Sequence, residues 1–271
     1  MRADVYNIEG KKIKQIDLPR QFDEPVREDI IQRAVLAVQS AKRIPYGAKA
    51  DAGKRASAKL SKRRRRYKTS YGKGISRVSR KILLKRGQHF VWVGAFAPGT
   101  VGGRRAHPPK PEKIWIKKIN KKERRKAIRS ALNATTNLEI VKKRGHRIDY
   151  LPLVVESKIE KISKTNEVEK ALVFLGLEKE LERIKNKSIR AGRGKTRGRK
   201  YKRKSGPLIV ISKDCPLYKS ARNILGVDVC LVKNLNAELL APGAVPGRLT
   251  VFTEDSIKLF DEKKLFLDEN A

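Results

Sequence analysis

Arginine and tyrosine side chains in one short run offer the most distinctive chemistry of this sequence. Residues 63–66 are four consecutive arginines, and Tyr67, Lys68 and Tyr71 follow them. Guanidinium groups pair with phosphates and tyrosine rings stack on bases, so this combination is typical of binding to RNA grooves and single strands. The alternative is a nuclear-localisation-like tag or a solvated charged face, which the neighbouring tyrosines and glycines disfavour.

Two glycine-rich stretches extend the same chemistry. Residues 72–80 combine glycines with basic side chains, and residues 99–110 combine Gly99, Gly102 and Gly103 with two arginines and a Pro-Pro pair. Glycine lets a backbone approach another surface closely, and an arginine can fork onto a phosphate. Simple flexibility is the alternative for the first stretch, and a loop returning to the domain is compatible with the second.

Other arrangements that could support catalysis or metal binding do not fit. A phosphate-binding loop ending at Gly194-Lys195-Thr196 would need a glycine where Ile189 stands. The three histidines are scattered, and Cys215 and Cys230 form no CxxC pair. We therefore expect no enzyme activity, no cofactor, no metal and no small-molecule substrate.

The charge is concentrated in two segments. The 271 residues carry a net charge of +38, and residues 42–110 hold 21 basic residues and 1 acidic residue. Residues 183–206 hold 12 basic residues and no acidic one. Such self-repulsion needs a polyanion, and nucleic acid is the obvious one. A membrane surface is the rival, but the basic stretches form no helix with a clean apolar face. With no signal-like start or long apolar run, an intracellular, soluble protein is expected.

Hydrophobic periodicity predicts an α/β body. A stripe at Val26, Ile30, Ala34 and Val38 predicts a first helix after Pro25. Further helices are predicted at 120–132, 166–185, 216–225 and from about 254, and strands at 5–8, 13–18, 151–155, 208–211, 227–232 and 249–252. Alternation of strands and helices indicates a mostly parallel sheet flanked by helices.

Between Lys42 and Lys110 no helical or strand period is sustained. This segment is far longer than an ordinary connection between secondary-structure elements. We therefore predict a long irregular basic arm inserted after the first helix. The body would comprise residues 1–44 and 109–271, the arm 45–108, and a second basic loop 186–206 within the body. The apolar run 89–96 is either a strand that docks on the body or a segment that packs into an RNA or protein crevice.

Several motifs together resemble one family. The strip Gly102 to Lys110, the cluster Gly72 to Arg77, and the segments 188–192 and 206–210 are similar to the universal large-subunit ribosomal protein number four, in its archaeal and eukaryotic form. The resemblance covers essentially the whole chain. The chain ends shortly after its last helix, without the long basic tail of eukaryotic members, and so resembles the archaeal form.

The resemblance implies a cytoplasmic constituent of the large ribosomal subunit whose arm threads the rRNA and lines the nascent-peptide exit tunnel. Its partners would be large-subunit rRNA, neighbouring ribosomal proteins and, near the arm tip, the nascent polypeptide. The implied tip residues are Arg66, Tyr67, Ser70, Tyr71, Gly72, Lys73 and Gly74. The basic and polar side chains expected to bind rRNA are Arg55, Lys62, Arg63, Arg64, Arg65, Arg66, Tyr67, Lys68, Tyr71, Lys73, Arg77, Arg80, Arg104, Arg105, His107, Lys110, Arg190, Arg193, Lys195, Arg197, Arg199, Lys200, Lys202 and Arg203.

Two competing functions make different predictions. An RNA-modifying or RNA-cleaving enzyme would show turnover and a pocket lined by paired titratable groups. A chromatin-like DNA binder would show similar affinity for duplex DNA and RNA, whereas stacking aromatics and glycine strips favour irregular RNA.

Overall fold

The computed structural model describes residues 1–87 and 89–267. Its strands, in chain order, are β1 (Arg2–Tyr6), β2 (Lys12–Asp17), β3 (Ala58–Lys59), β4 (Arg80–Arg86), β5 (His89–Gly94), β6 (Leu153–Val155), β7 (Ser188–Ile189), β8 (Tyr201–Lys202), β9 (Leu208–Ile211), β10 (Asp228–Leu231) and β11 (Thr250–Thr253). Its α-helices are α1 (Glu28–Ala41), α2 (Lys121–Thr136), α3 (Leu138–Lys143), α4 (Thr165–Leu172), α5 (Glu178–Lys185), α6 (Pro216–Arg222), α7 (Ala237–Leu240) and α8 (Glu254–Glu262).

The body is built on a mostly parallel sheet. In the described chain its strand order is β10-β9-β11-β6-β1-β2, and every neighbouring pair is parallel except β1 and β2. Short apolar strands that alternate with helices form this architecture because helices cover both faces of the sheet. The predicted α/β class, with a mostly parallel sheet flanked by helices, is confirmed.

Alternate side chains of the central strands enter opposite cores. Val154 packs in the core formed with α1, α2 and α8, whereas Leu153 and Val155 pack in the core formed with α4, α5 and α6. This division follows from the two-residue period of a strand. Among the described residues, neither core includes a side chain from 43–115.

The region predicted as one helix at 166–185 is two helices. The helix α4 ends at Leu172, and a distorted turn at Val173–Leu177 precedes α5. Gly176 lies in this turn at a φ of +72°. The apolar spacing is shared by both helices, so periodicity alone could not locate the break. The sequence pattern also missed the short helices α3 and α7.

Residues Arg43–Trp115 form a unit of their own. It contains a small antiparallel sheet of order β3-β4-β5, in which Arg80 pairs with Gly94 and Arg86 with His89. The prediction that no strand pattern is sustained here is therefore wrong for β4 and β5. The aromatic and β-branched residues of β5 favour a strand. This strand pairs with the basic strand β4. The apolar run thus pairs within its own unit.

A second antiparallel hairpin occupies the basic loop of the body. Ser188 pairs with Lys202 and Ile189 with Tyr201, and a 3-10 helix at Gly192–Arg197 lies between the two strands. Within the described residues, no helix has both the length and the apolar character needed to cross a membrane.

Candidate nucleic-acid interface

Three aromatic rings form a cluster on the small sheet of the Arg43–Trp115 unit. The ring of Phe90 lies edge-on to Tyr67, at a centroid distance of 5.5 Å, and edge-on to Trp92, at 4.8 Å. Tyr67 remains 54% exposed. Since β5 alternates its side chains, Phe90 and Trp92 fall on one face and meet the loop that carries Tyr67. The cluster therefore offers an exposed ring that packs against two others.

Basic side chains surround this aromatic cluster. Lys73 Nζ lies 5.7 Å from the Phe90 ring centroid. Arg80 Cζ lies 5.6 Å from the Trp92 ring centroid, and Lys85 Nζ lies 5.8 Å from that of Tyr67. Cations within about 6 Å of a ring face are attracted to it. The rings thus hold cationic groups close to a surface on which a base can stack. This is the arrangement that single-stranded nucleic acid requires: a stacking platform beside phosphate-binding charge.

The predicted tip contains both exposed and buried positions. Gly72 and Gly74 adopt φ angles of +70° and +64°, and a Cβ atom at either would meet nothing within 4 Å. Ser70 is 4% exposed, and its hydroxyl is buried without a hydrogen-bond partner among the described residues. Tyr71 is half-buried beneath the Arg77 guanidinium, which lies 4.9 Å from its ring centroid. The tip is therefore an open glycine turn on a partly packed base.

The return strip packs against residues 48–54 of the same unit. The two segments line a cleft of about 670 Å³ that includes Lys54, Arg104 and Lys110. Gly53 adopts a φ of +72°, and a Cβ there would lie 2.4 Å from the Arg104 backbone nitrogen. Only glycine fits this close approach, so Gly53 allows the return strip to pack against residues 48–54.

A cation sandwich lies near the two ends of the unit. The Arg43 guanidinium carbon lies 3.6 Å from the Trp115 ring centroid, and Tyr46 stacks on Trp115 at 5.8 Å with an interplanar angle of 16°. Lys113 Nζ approaches the same indole ring at 4.4 Å. This arrangement joins the chain entering the unit to the chain leaving it.

The basic hairpin of the body repeats the pairing of cation and ring. Lys187 Nζ lies 4.4 Å from the Tyr201 ring centroid. Arg190 is directed inward, where its Nε donates to the Arg199 carbonyl at 3.1 Å. The hairpin therefore fixes one arginine in its own backbone and exposes its other cations.

The structure brings most predicted RNA-binding side chains to the surface. Two predicted residues have clear internal roles: Arg190, and Arg80, which donates to the Ser76 carbonyl at 3.1 Å. Arg55 forms an ion pair with Asp51 at 2.7 Å. The remaining exposed members are Lys62, Arg63, Arg64, Arg65, Arg66, Tyr67, Lys73, Arg77, Arg105, His107, Lys110, Arg193, Lys195, Arg197, Arg199, Lys200, Lys202 and Arg203.

The sequence pattern did not predict a buried polar network in the body. His146 Nδ1 lies 2.7 Å from Glu180 Oε1, and Arg183 donates to the same carboxylate at 2.7 and 2.8 Å. Burial would raise the pKa of Glu180, but hydrogen bonds from Arg183 and His146 outweigh it and lower the pKa. Burial lowers the pKa of His146. His146 lies 34 and 37 residues before Glu180 and Arg183, so no local motif could have revealed the network.

The cysteines and histidines form no catalytic or metal centre in the described chain. Burial raises the pKa of the Cys230 thiol to about 11 and raises that of Cys215 as well, so both thiols are poor nucleophiles. Across residues 1–87 and 89–267, no three His, Cys, Asp or Glu side chains are grouped to hold a metal ion.

The basic charge and the cation–aromatic surfaces are typical of a nucleic-acid-binding protein. Comparison with known proteins narrows this class. Residues 16–263 match the family described as "Ribosomal protein L4/L1 family". The chain belongs to the ribosomal protein L4/L1 family.

Three of its relatives come from archaea. The large ribosomal subunit protein uL4 of Nanoarchaeum equitans is 53% identical over 268 residues, which span 98% of this chain and 100% of the relative. The proteins of the same name from Archaeoglobus fulgidus and Methanopyrus kandleri are 45% and 44% identical over 97% of this chain and 99% of each relative. The predicted family and its structural, non-enzymatic class in the large ribosomal subunit are confirmed, as is the cytoplasmic location of the ribosome that contains it.

Proposed function

We propose that this large-subunit constituent binds rRNA mainly through an arm at residues 45–108, and that this arm assists folding of the rRNA during subunit assembly. The main support for this proposal is the charge of residues 42–110, which contain 21 basic residues and 1 acidic residue. Asp51 pairs with Arg55, so the cations beyond that pair have no nearby acidic residue within the segment. Phosphate neutralisation would remove their mutual repulsion and release counterions.

The composition of the two hydrophobic cores supports this proposal. The body, proposed as residues 1–44 and 109–271, has both cores without a contribution from 43–115 among the described residues. The arm is therefore free to serve an external partner. Its ring cluster around Phe90 supplies stacking, and its arginines supply charge-assisted contacts to phosphates.

The hairpin within residues 186–206 is proposed as a second rRNA contact. It carries cations on both strands and on the 3-10 turn between them, and most of those side chains are exposed. It belongs to the body, so its position is set by the strand β9 and by α5, which flank it in sequence.

We infer that the turn between Arg66 and Gly74 lines the exit tunnel and contacts the nascent polypeptide. The open glycine turn at Gly72 and Gly74 supports this, because small exposed residues leave room for a passing chain. Neighbouring large-subunit ribosomal proteins are the expected further partners.

Co-sedimentation tests the proposed function. In a sucrose gradient of lysate, the protein should migrate with the large subunit at moderate and high salt, because an arm buried in rRNA cannot dissociate by screening alone. Migration as a free protein, or release at modest salt, would indicate a peripheral RNA binder and contradict the proposal.

A matched pair of variants identifies the contribution of the arm. Substituting glutamine for the four arginines at 63–66 should reduce incorporation into subunits at least tenfold. The control removes the same charge from exposed lysines of the body, namely Lys213, Lys219, Lys233 and Lys263. Equal incorporation of both variants would show that total charge, not the arm, drives binding.

A further inference from the structure

A basic cleft in the body lies beside the β7–β8 hairpin, and of its basic side chains the sequence predicted only Lys202 and Arg203 as RNA-binding residues. It encloses about 680 Å³ between the end of α3, the foot of the β7–β8 hairpin, α5 and the turn at 242–245. Sites of this size hold ligands larger than a single phosphate. The basic side chains that line it are Lys143, Arg144, Arg183, Lys202, Arg203 and Lys204.

The cleft is strongly positive. Among the described residues that line it, none is Asp or Glu. Glu180 lies behind Arg183 and pairs with that one arginine. His146, which also lines the cleft, has a lowered pKa and adds no charge near neutral pH. The other cations therefore face the cleft without a carboxylate in its lining.

Arg144 shows how unfavourable this arrangement is without an anion. Burial and repulsion from Arg248 and Arg183 lower its pKa to about 10. Its guanidinium donates to the Pro242 carbonyl at 2.6 Å and to the Pro246 carbonyl at 3.3 Å. These neutral acceptors orient the group but cannot balance its charge, so a bound anion would stabilise it.

Two arginines also hold the walls in place. Arg183 donates to the Ser205 carbonyl at 2.7 Å, which ties α5 to the hairpin. Arg144 ties α3 to the turn at 242–246 through the two proline carbonyls. The cleft is thus fixed before any ligand arrives, and preorganised donors lose less entropy on binding.

We infer that this cleft binds successive phosphodiester groups of an RNA strand that runs along the foot of the β7–β8 hairpin. The inference rests on the proposed rRNA-binding function and adds Lys143, Arg144, Arg183 and Lys204 to its site residues. An RNA strand fits better than a free phosphate because six basic side chains line the cleft, and two of them, Lys202 and Arg203, belong to the exposed hairpin.

Lysine reactivity tests the site directly. The full-length protein is acetylated alone, with a full-length large-subunit rRNA transcript, and with inorganic phosphate at millimolar concentration. Lys143 and Lys204 should lose reactivity at least fivefold with the transcript, whereas exposed Lys219 and Lys233 should keep it. Protection by inorganic phosphate alone to the same degree would show a small-anion site and overturn the inference.

The same experiment separates this inference from the proposed function. Protection of Lys73 in the arm with full reactivity of Lys143 and Lys204 would overturn the cleft inference while leaving arm binding intact. If the transcript protects none of Lys73, Lys143 and Lys204 from acetylation, the rRNA-binding proposal itself is contradicted.

The salt dependence of binding to the transcript gives a second readout. Each phosphate contact contributes about 0.7–0.9 to the slope of log affinity against log salt. The double variant Lys143→Gln, Lys204→Gln should therefore lower the slope by about 1.4–1.8. The matched variant Lys219→Gln, Lys233→Gln removes the same charge and should leave the slope unchanged. Equal slopes for the two variants would overturn the inference.

Discussion

The Nδ1 atom of His146 lies 2.7 Å from Oε1 of Glu180, and both side chains are at most 5% exposed. The same carboxylate accepts the Arg147 backbone amide at 3.1 Å and two bonds from Arg183. One carboxylate therefore joins α5 to the segment after α3. This junction stabilises the body and forms part of the wall of the basic cleft.

The first prediction concerns acid stability. Because burial lowers the pKa of His146, the unfolded chain binds a proton more readily than the folded one, and stability falls as the pH drops below the ordinary value of 6.5. His146→Gln should reduce this loss between pH 6.5 and 5, measured by urea unfolding. His89→Gln, at an exposed position, is the control. Identical pH profiles for wild type and His146→Gln would refute the assignment.

The second prediction concerns the buried ion pair. Glu180→Gln should lower the free energy of unfolding by about 3–5 kcal/mol, because it leaves Arg183, whose side chain is only 13% exposed, without a carboxylate that balances its charge. The pKa of Glu180 is also lowered, so the wild type loses this contribution as the pH falls below 4.5. Glu182→Gln, on the exposed side of the same helix, should change stability by less than about 0.5 kcal/mol.

A third prediction concerns a close backbone contact. Gly10 adopts a φ of +80°, and a Cβ there would lie 2.2 Å from the Phe174 carbonyl oxygen. Gly10→Ala should cost about 1–2 kcal/mol for the left-handed conformation and about 1–3 kcal/mol more for the clash. Gly145→Ala shares the positive φ but meets nothing within 4 Å, so it should cost the smaller amount alone. Thermal unfolding of both variants measures the difference.

A fourth prediction concerns the independence of the body. Deleting residues 55–85 removes β3 and most of β4 but no described member of either core. The thermal unfolding midpoint of the body should stay within a few degrees of wild type, while incorporation into large subunits should fall sharply. Aggregation or unfolding of the truncated protein would mean that the arm is structural to the body.

A fifth prediction concerns order in the free protein. An isolated hairpin is at most marginally stable in water, and buried polar atoms of Ser70, Arg80 and Trp115 have no partner among the described residues. Amides of β4 and β5 should therefore exchange much faster than those of β9 and β11 in the free protein, and should gain protection on binding rRNA. Equal protection in the free protein would contradict this.

The tunnel proposal has its own measurement. A photo-crosslinking residue in place of Lys73, at the open turn, should capture a stalled nascent chain in assembled subunits. The same residue at Tyr201 should not, because it lies in the hairpin of the body. Capture at both positions, or at Tyr201 alone, would contradict the proposal that the nascent chain contacts the turn at 66–74.

Sequence by itself determined the α/β body, because its strands are short apolar runs and its helices carry stripes at i+4 spacing. It also located the charge of the proposed arm, and it identified the family through the strip at 102–110, the cluster at 72–77 and the segments 188–192 and 206–210 taken together. These features are local, and they appear as residue types at fixed spacings along the chain. The predicted positions of RNA-binding residues follow from basic charge, from neighbouring tyrosines and glycines, and from the family resemblance.

Tertiary structure decided what depends on residues far apart in the chain. It paired the strands within residues 43–115, broke the helix at Gly176, and turned Arg80 and Arg190 onto the backbone carbonyls of Ser76 and Arg199. It also brought Lys143 to the same cleft as Lys204, about sixty residues away in sequence. A sequence pattern records which groups are charged, but only packing determines which charges meet, which are buried, and which carbonyl or carboxylate neutralises them.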